Sequence, residues 1–136
     1  MALQDNNTPK RNKHNGTVLE KYLKSFFHAI DGIVYCIKYE HNIIIILAAI
    51  IVAVFLGLIF NIESYEWLFV LSMCGFISAM EMVNSSIEAT IDLAMPEEHP
   101  LAKIAKDTAS AATLILCIVA LIGGIIIFLP KIMGLL

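Results

Sequence analysis

The chain is 136 residues long, 59% hydrophobic and 15% charged, with a formal net charge of -3. A soluble domain of this size could not cover so much apolar surface with polar groups, and the acidic balance argues against nucleic acid as a partner. Cys36, Cys74 and Cys117 are widely spaced in apolar sequence, with no CxxC or His/Cys cluster, so buried thiols are expected rather than a disulfide framework.

Residues 1–16, MALQDNNTPKRNKHNG, are polar throughout and lack the apolar core of a secretory signal. A disordered, basic cytoplasmic tail is expected there. In the next stretch Leu19, Tyr22, Leu23, Phe26, Ile30, Ile33, Val34 and Ile37 share one face at helical spacing. Lys21, Lys24, His28 and Asp31 fall on the other, the pattern of a helix lying in the membrane interface. A helix packed on a soluble core is the alternative, but no soluble domain is at hand to receive it.

A membrane span needs about 20 mostly apolar residues. Residues 43–60, IIIILAAIIVAVFLGLIF, carry no charge, and residues 108–129 are nearly as clean, ending at Pro130. Between them, 67–93 qualifies only if its carboxylates face protein or water. The fold class is therefore an all-α membrane protein, with an N-terminal amphipathic interfacial helix and three transmembrane helices. A single membrane-embedded domain is expected over 17–136. Lys10, Arg11, Lys13, Lys21, Lys24 and Lys38 precede the first span, the loop 61–66 has no Lys or Arg, and Lys103 and Lys106 lie between the second and third spans. With Lys131 the lone cation of the C-terminal tail, the N-terminus is expected in the cytoplasm and the C-terminus outside, with Tyr65 and Trp67 at the outer interface.

The second span carries a polar stripe. Glu81, Asn84, Ser85, Glu88 and Asp92 share one helical face. Counting from Trp67 at 1.5 Å per residue, Glu81 lies about 21 Å inward and Glu88 about 31 Å. Against a hydrocarbon thickness of about 30 Å, Glu88 reaches the cytoplasmic boundary while Glu81 is still in lipid. Asp92 is beyond the boundary and reads as a support for the loop or a solvated helix end. A carboxylate in hydrocarbon costs about 2.5–3.5 kcal/mol even on the lenient insertion scale, and desolvation moves its pKa toward the range useful to a general base. The alternative is a Glu81 satisfied by an Asn or Ser on a neighbouring helix. Glu40, at the cytoplasmic start of the first span, belongs to the depth of Glu88, and two carboxylates there suit Mg²⁺. The loop MPEEHPLAKIAKD adds Glu97, Glu98, His99, Lys103, Lys106 and Asp107, with Lys106 suited to a phosphate and Lys103 read as a positive-inside marker. No GxxxxGK[ST], GxGxxG or HRD/DFG pattern of a soluble kinase is present.

The stretch from Glu81 through Asn84, Ser85, Ile87 and Glu88 to Asp92 resembles the signature of the prokaryotic diacylglycerol kinase and undecaprenol kinase family. Glu97, His99, Leu101, Ala105, Lys106 and Asp107 resemble its second block, followed by the small residues at 108–112. Ala29, Gly32 and Glu40 resemble its junction between surface helix and first span, so the likeness covers roughly 18–130. It implies an integral membrane kinase of a bacterial cell membrane, with a cytoplasmic active site, that moves the γ-phosphoryl group of MgATP to the hydroxyl of a membrane lipid alcohol. By position, Glu81 would be the catalytic base, Asn84 would orient the reacting groups, and Glu40 and Glu88 would hold Mg²⁺. Glu97, His99, Lys106 and Asp107 would contact the nucleotide, Ser110 would lie near the lipid, and the assembly would be a homotrimer with shared sites.

The diacylglycerol branch carries polar and acidic residues where 43–46 are all Ile here, and a Tyr near the nucleotide where this chain has His28. Glu40-His41-Asn42 is closer to the undecaprenol branch, although the Arg and the following His often found there are missing. Undecaprenol is thus the expected acceptor and diacylglycerol the alternative. A small proton-coupled transporter would use Glu81 but leave Glu40, Lys106 and Asp107 without roles, and a structural membrane-assembly subunit would leave the whole stripe unexplained.

Overall fold

A computed structural model describes residues 17–134; the tail expected at 1–16 lies outside them. Four helices follow in order, α1 (Val18–Tyr39), α2 (His41–Ile59), α3 (Ser64–Ala94) and α4 (Pro100–Met133). The chain divides into two units, the first ending at Gly32. Its helical part starts on a reciprocal cap, with Thr17 N donating to Glu20 Oε2 at 3.1 Å and Glu20 N to Thr17 Oγ1 at 3.4 Å. Leu19, Tyr22, Leu23 and Phe26, the apolar face expected from the sequence, are exposed on this helix.

The second unit runs from Ile33 and holds the end of α1 with the three long helices. Glu40 breaks α1 from α2 with extended backbone, φ -102° and ψ 114°. α2 is rich in Ile and Val, which are middling helix formers in water. In lipid, however, every backbone polar group must be satisfied within its own segment, and the helix does this. α2, α3 and α4 are each long and apolar enough to cross a membrane. Their core is small: Ile62, Val70 and Ile127 are buried together, with Trp67, Phe69 and Phe128 packed around them. Most other apolar side chains stay on the surface of the chain, which suits lipid or protein neighbours and not water.

α3 lies antiparallel to α4 along most of its length and meets α2 over a shorter stretch. Each end of the α3–α4 pair carries an ion pair. Beside the connecting loop, Lys106 Nζ is 2.5 Å from Asp92 Oδ1. At the far end Glu63 and Glu66 form a capping box, Glu63 N donating to Glu66 Oε2 at 2.7 Å, and Lys131 Nζ lies 3.1 Å from that same oxygen. Small residues allow close approach between these points. A Cβ on Gly57 would lie 2.7 Å from the Trp67 ring and 3.1 Å from Ile62, and one on Gly123 would run into the ring of Phe69. Asn61, in the turn from α2 to α3, takes the left-handed φ of 45° that Asn tolerates better than most residues.

All three long helices begin before the expected spans, and α3 and α4 also end beyond them, while α2 ends one residue short at Ile59. α4 starts eight residues before 108, because His99 caps it and Pro100 opens its first turn without losing a needed N–H. Lys103, Lys106 and Asp107 are therefore helical residues and not part of a loop. α4 also runs through Pro130 to Met133; a proline in the last turn removes one hydrogen bond without stopping the chain. Gly57→Val should overpack the contact with Trp67 and Ile62 and destabilise the fold by about 1–3 kcal/mol. Thermal unfolding in detergent micelles reads this directly, and an unchanged midpoint would contradict the packing described.

Candidate active site

The polar stripe of α3 is buried where it was expected to be costly. Glu81 is 4% exposed, Asn84 3% and Ser85 7%, while Glu88 is half-buried and Asp92 exposed. Ser85 Oγ donates to the backbone oxygen of Glu81 at 3.1 Å, and Asn84 Nδ2 donates to Glu88 Oε1 at 3.0 Å. Neither side chain satisfies the Glu81 carboxyl. Among the described residues no side-chain hydrogen bond or ion pair is made by Glu81, so a neighbouring Asn or Ser does not explain it within this chain. The same network leaves Asn84 Oδ1 buried without a partner, and Thr113 Oγ1 on α4 is in the same position. A buried polar atom left unpaired costs about 1–3 kcal/mol.

Glu40 caps α2 without a side-chain capping bond, and its backbone N–H donates to Cys36 O at 2.9 Å, closing the last turn of α1. Cys36 is buried. Burial first, then the negative charges of Glu40 and Glu81, push its thiol above the usual range. Cys36, at the end of α1, therefore lies near enough to both Glu40 and Glu81 to feel their charges. Composition and spacing had marked Cys36 only as a buried thiol, since nothing local signals two acids converging from separate helices.

On the loop side a cavity of about 670 Å³ opens between the end of α3 and the start of α4. Asp92, Glu97, Glu98, His99, Lys103, Lys106 and Asp107 line it. That volume is in the range of small-molecule sites. Leu101 N donates to His99 Nδ1 at 3.2 Å, so in the neutral imidazole the proton sits on Nε2 and is free to donate. The N-terminal end of α4 adds the partial positive charge that favours an anion. Lys103 is held by Asp107 one turn on, at 2.5 Å, and Lys106 by Asp92. These pairs are exposed and so worth little, which lets an incoming phosphate displace a carboxylate from Lys106 at small cost.

Of the expected site residues, the cavity gathers Glu97, His99, Lys106 and Asp107. Glu81, Asn84 and Glu88 follow each other along α3, and the charges of Glu40 and Glu81 both reach the Cys36 thiol. Ser110 is exposed and does not line the cavity. No direct contact joins Glu40 to Glu88, and no group of three or more His, Cys, Asp or Glu among the described residues is arranged to hold a metal ion. Sequence reasoning missed Asp92 as the partner of Lys106, a contact across fourteen residues that helical periodicity does not reveal.

Residues 27–128 match the family model for prokaryotic diacylglycerol kinase. The chain belongs to that family. It is a membrane protein and a lipid kinase. It is 34% identical to the undecaprenol kinase of Bacillus subtilis over 119 residues, 88% of this chain and 97% of that protein. It is also 37% identical to a diacylglycerol kinase of Helicobacter pylori over 101 residues, 71% of this chain and 75% of that one. A diacylglycerol kinase of Escherichia coli is 35% identical over 74 residues, 54% and 61% of the two chains.

Because burial, and after it the charges of Glu40 and Glu81, raise the Cys36 thiol, it should stay protonated and react slowly with iodoacetamide at neutral pH. In a variant keeping Cys36 as its one cysteine, Glu40→Gln should lower the thiol pKa and speed alkylation at pH 8. Equal rates with and without the carboxylate would mean that Glu40 is not beside Cys36.

Proposed function

We propose that this lipid kinase transfers the γ-phosphoryl group of ATP to the hydroxyl of undecaprenol, giving undecaprenyl phosphate, with Glu81 as the base that takes the hydroxyl proton. The observation that carries the reading is the buried, unpaired carboxyl of Glu81 on the same helix that, three turns on, borders the polar cavity. Phosphoryl transfer asks mainly for positioning and charge neutralisation, so a base, a lysine and a metal are enough. Under this reading Lys106, His99 and Asp107 contact the nucleotide in the cavity with Glu97, Asn84 orients the reacting groups, and Ser110 lies near the lipid.

Glu40 and Glu88 are the residues that would hold Mg²⁺. Their donor set fits: Mg²⁺ takes one or two carboxylates and completes its shell with water and phosphate, so a cluster of three protein ligands is not required. Asn84 Nδ2 fixes the orientation of Glu88, as outer partners of metal ligands commonly do. When bound there, Mg²⁺ would offset the charge of the triphosphate.

The similarity to undecaprenol kinase extends over nearly all of that protein, and the all-Ile stretch after Glu40 supports the same acceptor. Diacylglycerol is the second reading, favoured by the Helicobacter pylori relative. The Lys and Arg distribution supports a cytoplasmic N-terminus and site in a bacterial cell membrane, an outside C-terminus and an α1 lying in the interface. A homotrimer is proposed from the resemblance, and the apolar surface left on the long helices is compatible with it. The domain proposed for this function is 17–136, and every residue assigned a role lies in the unit beginning at Ile33.

Glu81→Gln should lower ATP-dependent lipid phosphorylation by at least about a hundredfold, the lower range for a general base, while membrane insertion is unchanged. Retained activity in a correctly inserted variant would end the assignment.

A further inference from the structure

The lipid kinase reading leaves one buried polar group without a task. Thr113 sits on α4, 8% exposed, with its hydroxyl unpaired. Hydroxyls in these helices ordinarily bond the carbonyl four residues back, as Ser78 does to Cys74, Ser85 to Glu81, Thr90 to Ser86 and Thr108 to Ile104. Thr113 does not use that local solution.

Its position follows from the register of α3 and α4. Lys131 meets Glu66, Ile127 packs with Val70, and Lys106 meets Asp92, so each step along α4 is matched by an equal step back along α3. From Ile127 to Thr113 is fourteen residues, about four turns, which keeps both on one face of α4. The same step from Val70 along α3 arrives at Asn84. Thr113 therefore stands opposite Asn84, one turn from Glu81, and the oxygen left unpaired on Asn84 faces the level where a hydroxyl is left unpaired on α4. An apolar cavity of about 320 Å³ between α2, α3 and α4 ends at Ile77 and Cys117, one turn from Glu81 and Thr113 respectively. A lipid chain lying along it brings its polar end to this level.

We propose that Thr113 binds the acceptor alcohol, its hydroxyl donating to the alcohol oxygen, with Asn84 Oδ1 accepting on the facing side. This rests on the lipid kinase reading. An alcohol matches the pair because it accepts and donates at one atom. In the transfer step the alcohol oxygen forms a bond to the γ-phosphorus through one lone pair while the other accepts from Thr113. The bond from the γ-phosphorus to the β,γ-bridging oxygen breaks, the hydroxyl hydrogen turns from Asn84 Oδ1 to the Glu81 carboxylate one helical turn away and is transferred to it, and ADP leaves.

The test compares wild type, Thr113→Val and Thr113→Ser in mixed micelles, with KM measured separately for undecaprenol and for MgATP. Thr113→Val should raise KM for the lipid about tenfold, the effect of one lost hydrogen bond, while KM for MgATP and the unfolding midpoint hold. Thr113→Ser should restore the lipid KM to within about threefold of wild type. An unchanged lipid KM in Thr113→Val overturns the inference, and so does an equal loss toward both substrates with a lowered unfolding midpoint, which marks a packing role. Wild-type protein that phosphorylates neither undecaprenol nor diacylglycerol would remove the lipid kinase reading itself, and this inference with it.

Discussion

α3 and α4 pack in a single register, and the geometry of the site depends on it. The exposed pair of Asp92 with Lys106 marks one end, and Glu66 with Lys131 fixes the other. The second pair is the more buried, and Glu66 also accepts from the backbone of Glu63, so the start of α3 and the end of α4 are locked by the same carboxyl. A slip of one turn would move Glu81, Asn84 and Glu88 by about 5.4 Å against everything α4 presents. The close contact of Gly123 with Phe69 reinforces the alignment through shape, and that of Gly57 with Trp67 seats α2 on α3 in the same way.

With that register in place, α3 carries chemistry of changing polarity along its length. Its stretch from Trp67 to Met80 is mostly apolar, Glu81 is buried and unpaired, Glu88 is half-buried and held by Asn84, and Asp92 reaches the polar cavity. A lipid alcohol and a nucleotide differ in the same way, one confined to hydrocarbon and the other to water. A helix graded from one to the other can bring the two together without moving either far from its own phase. The exposed setting of Lys106 and Asp92 leaves a phosphate free to enter and leave.

Much of this was legible in the sequence. Residues 43–60 announce their helix by unbroken apolarity, and the stripe at Glu81, Asn84, Glu88 and Asp92 announces itself by spacing alone. The early start of α4 was marked by His99-Pro100, a cap followed by a first-turn proline, but the charged residues after it read more simply as loop. Contacts between distant positions were out of reach. Nothing in the local pattern joins Glu66 to Lys131 or Asp92 to Lys106, and nothing places Cys36 beside two acids. The unpaired hydroxyl of Thr113 was invisible for a similar reason, because a threonine in a run of small residues gives no sign of whether its oxygen finds a partner.

The carboxylate of Glu81 and the polar cavity at the start of α4 are proposed to serve one reaction on a lipid alcohol. Purified protein in mixed micelles, supplied with MgATP and either undecaprenol or diacylglycerol, tests it most directly. Mg²⁺-dependent transfer of labelled γ-phosphate to lipid is expected, faster with undecaprenol. ATP turnover without a phosphorylated lipid, or proton movement without ATP turnover, would contradict it.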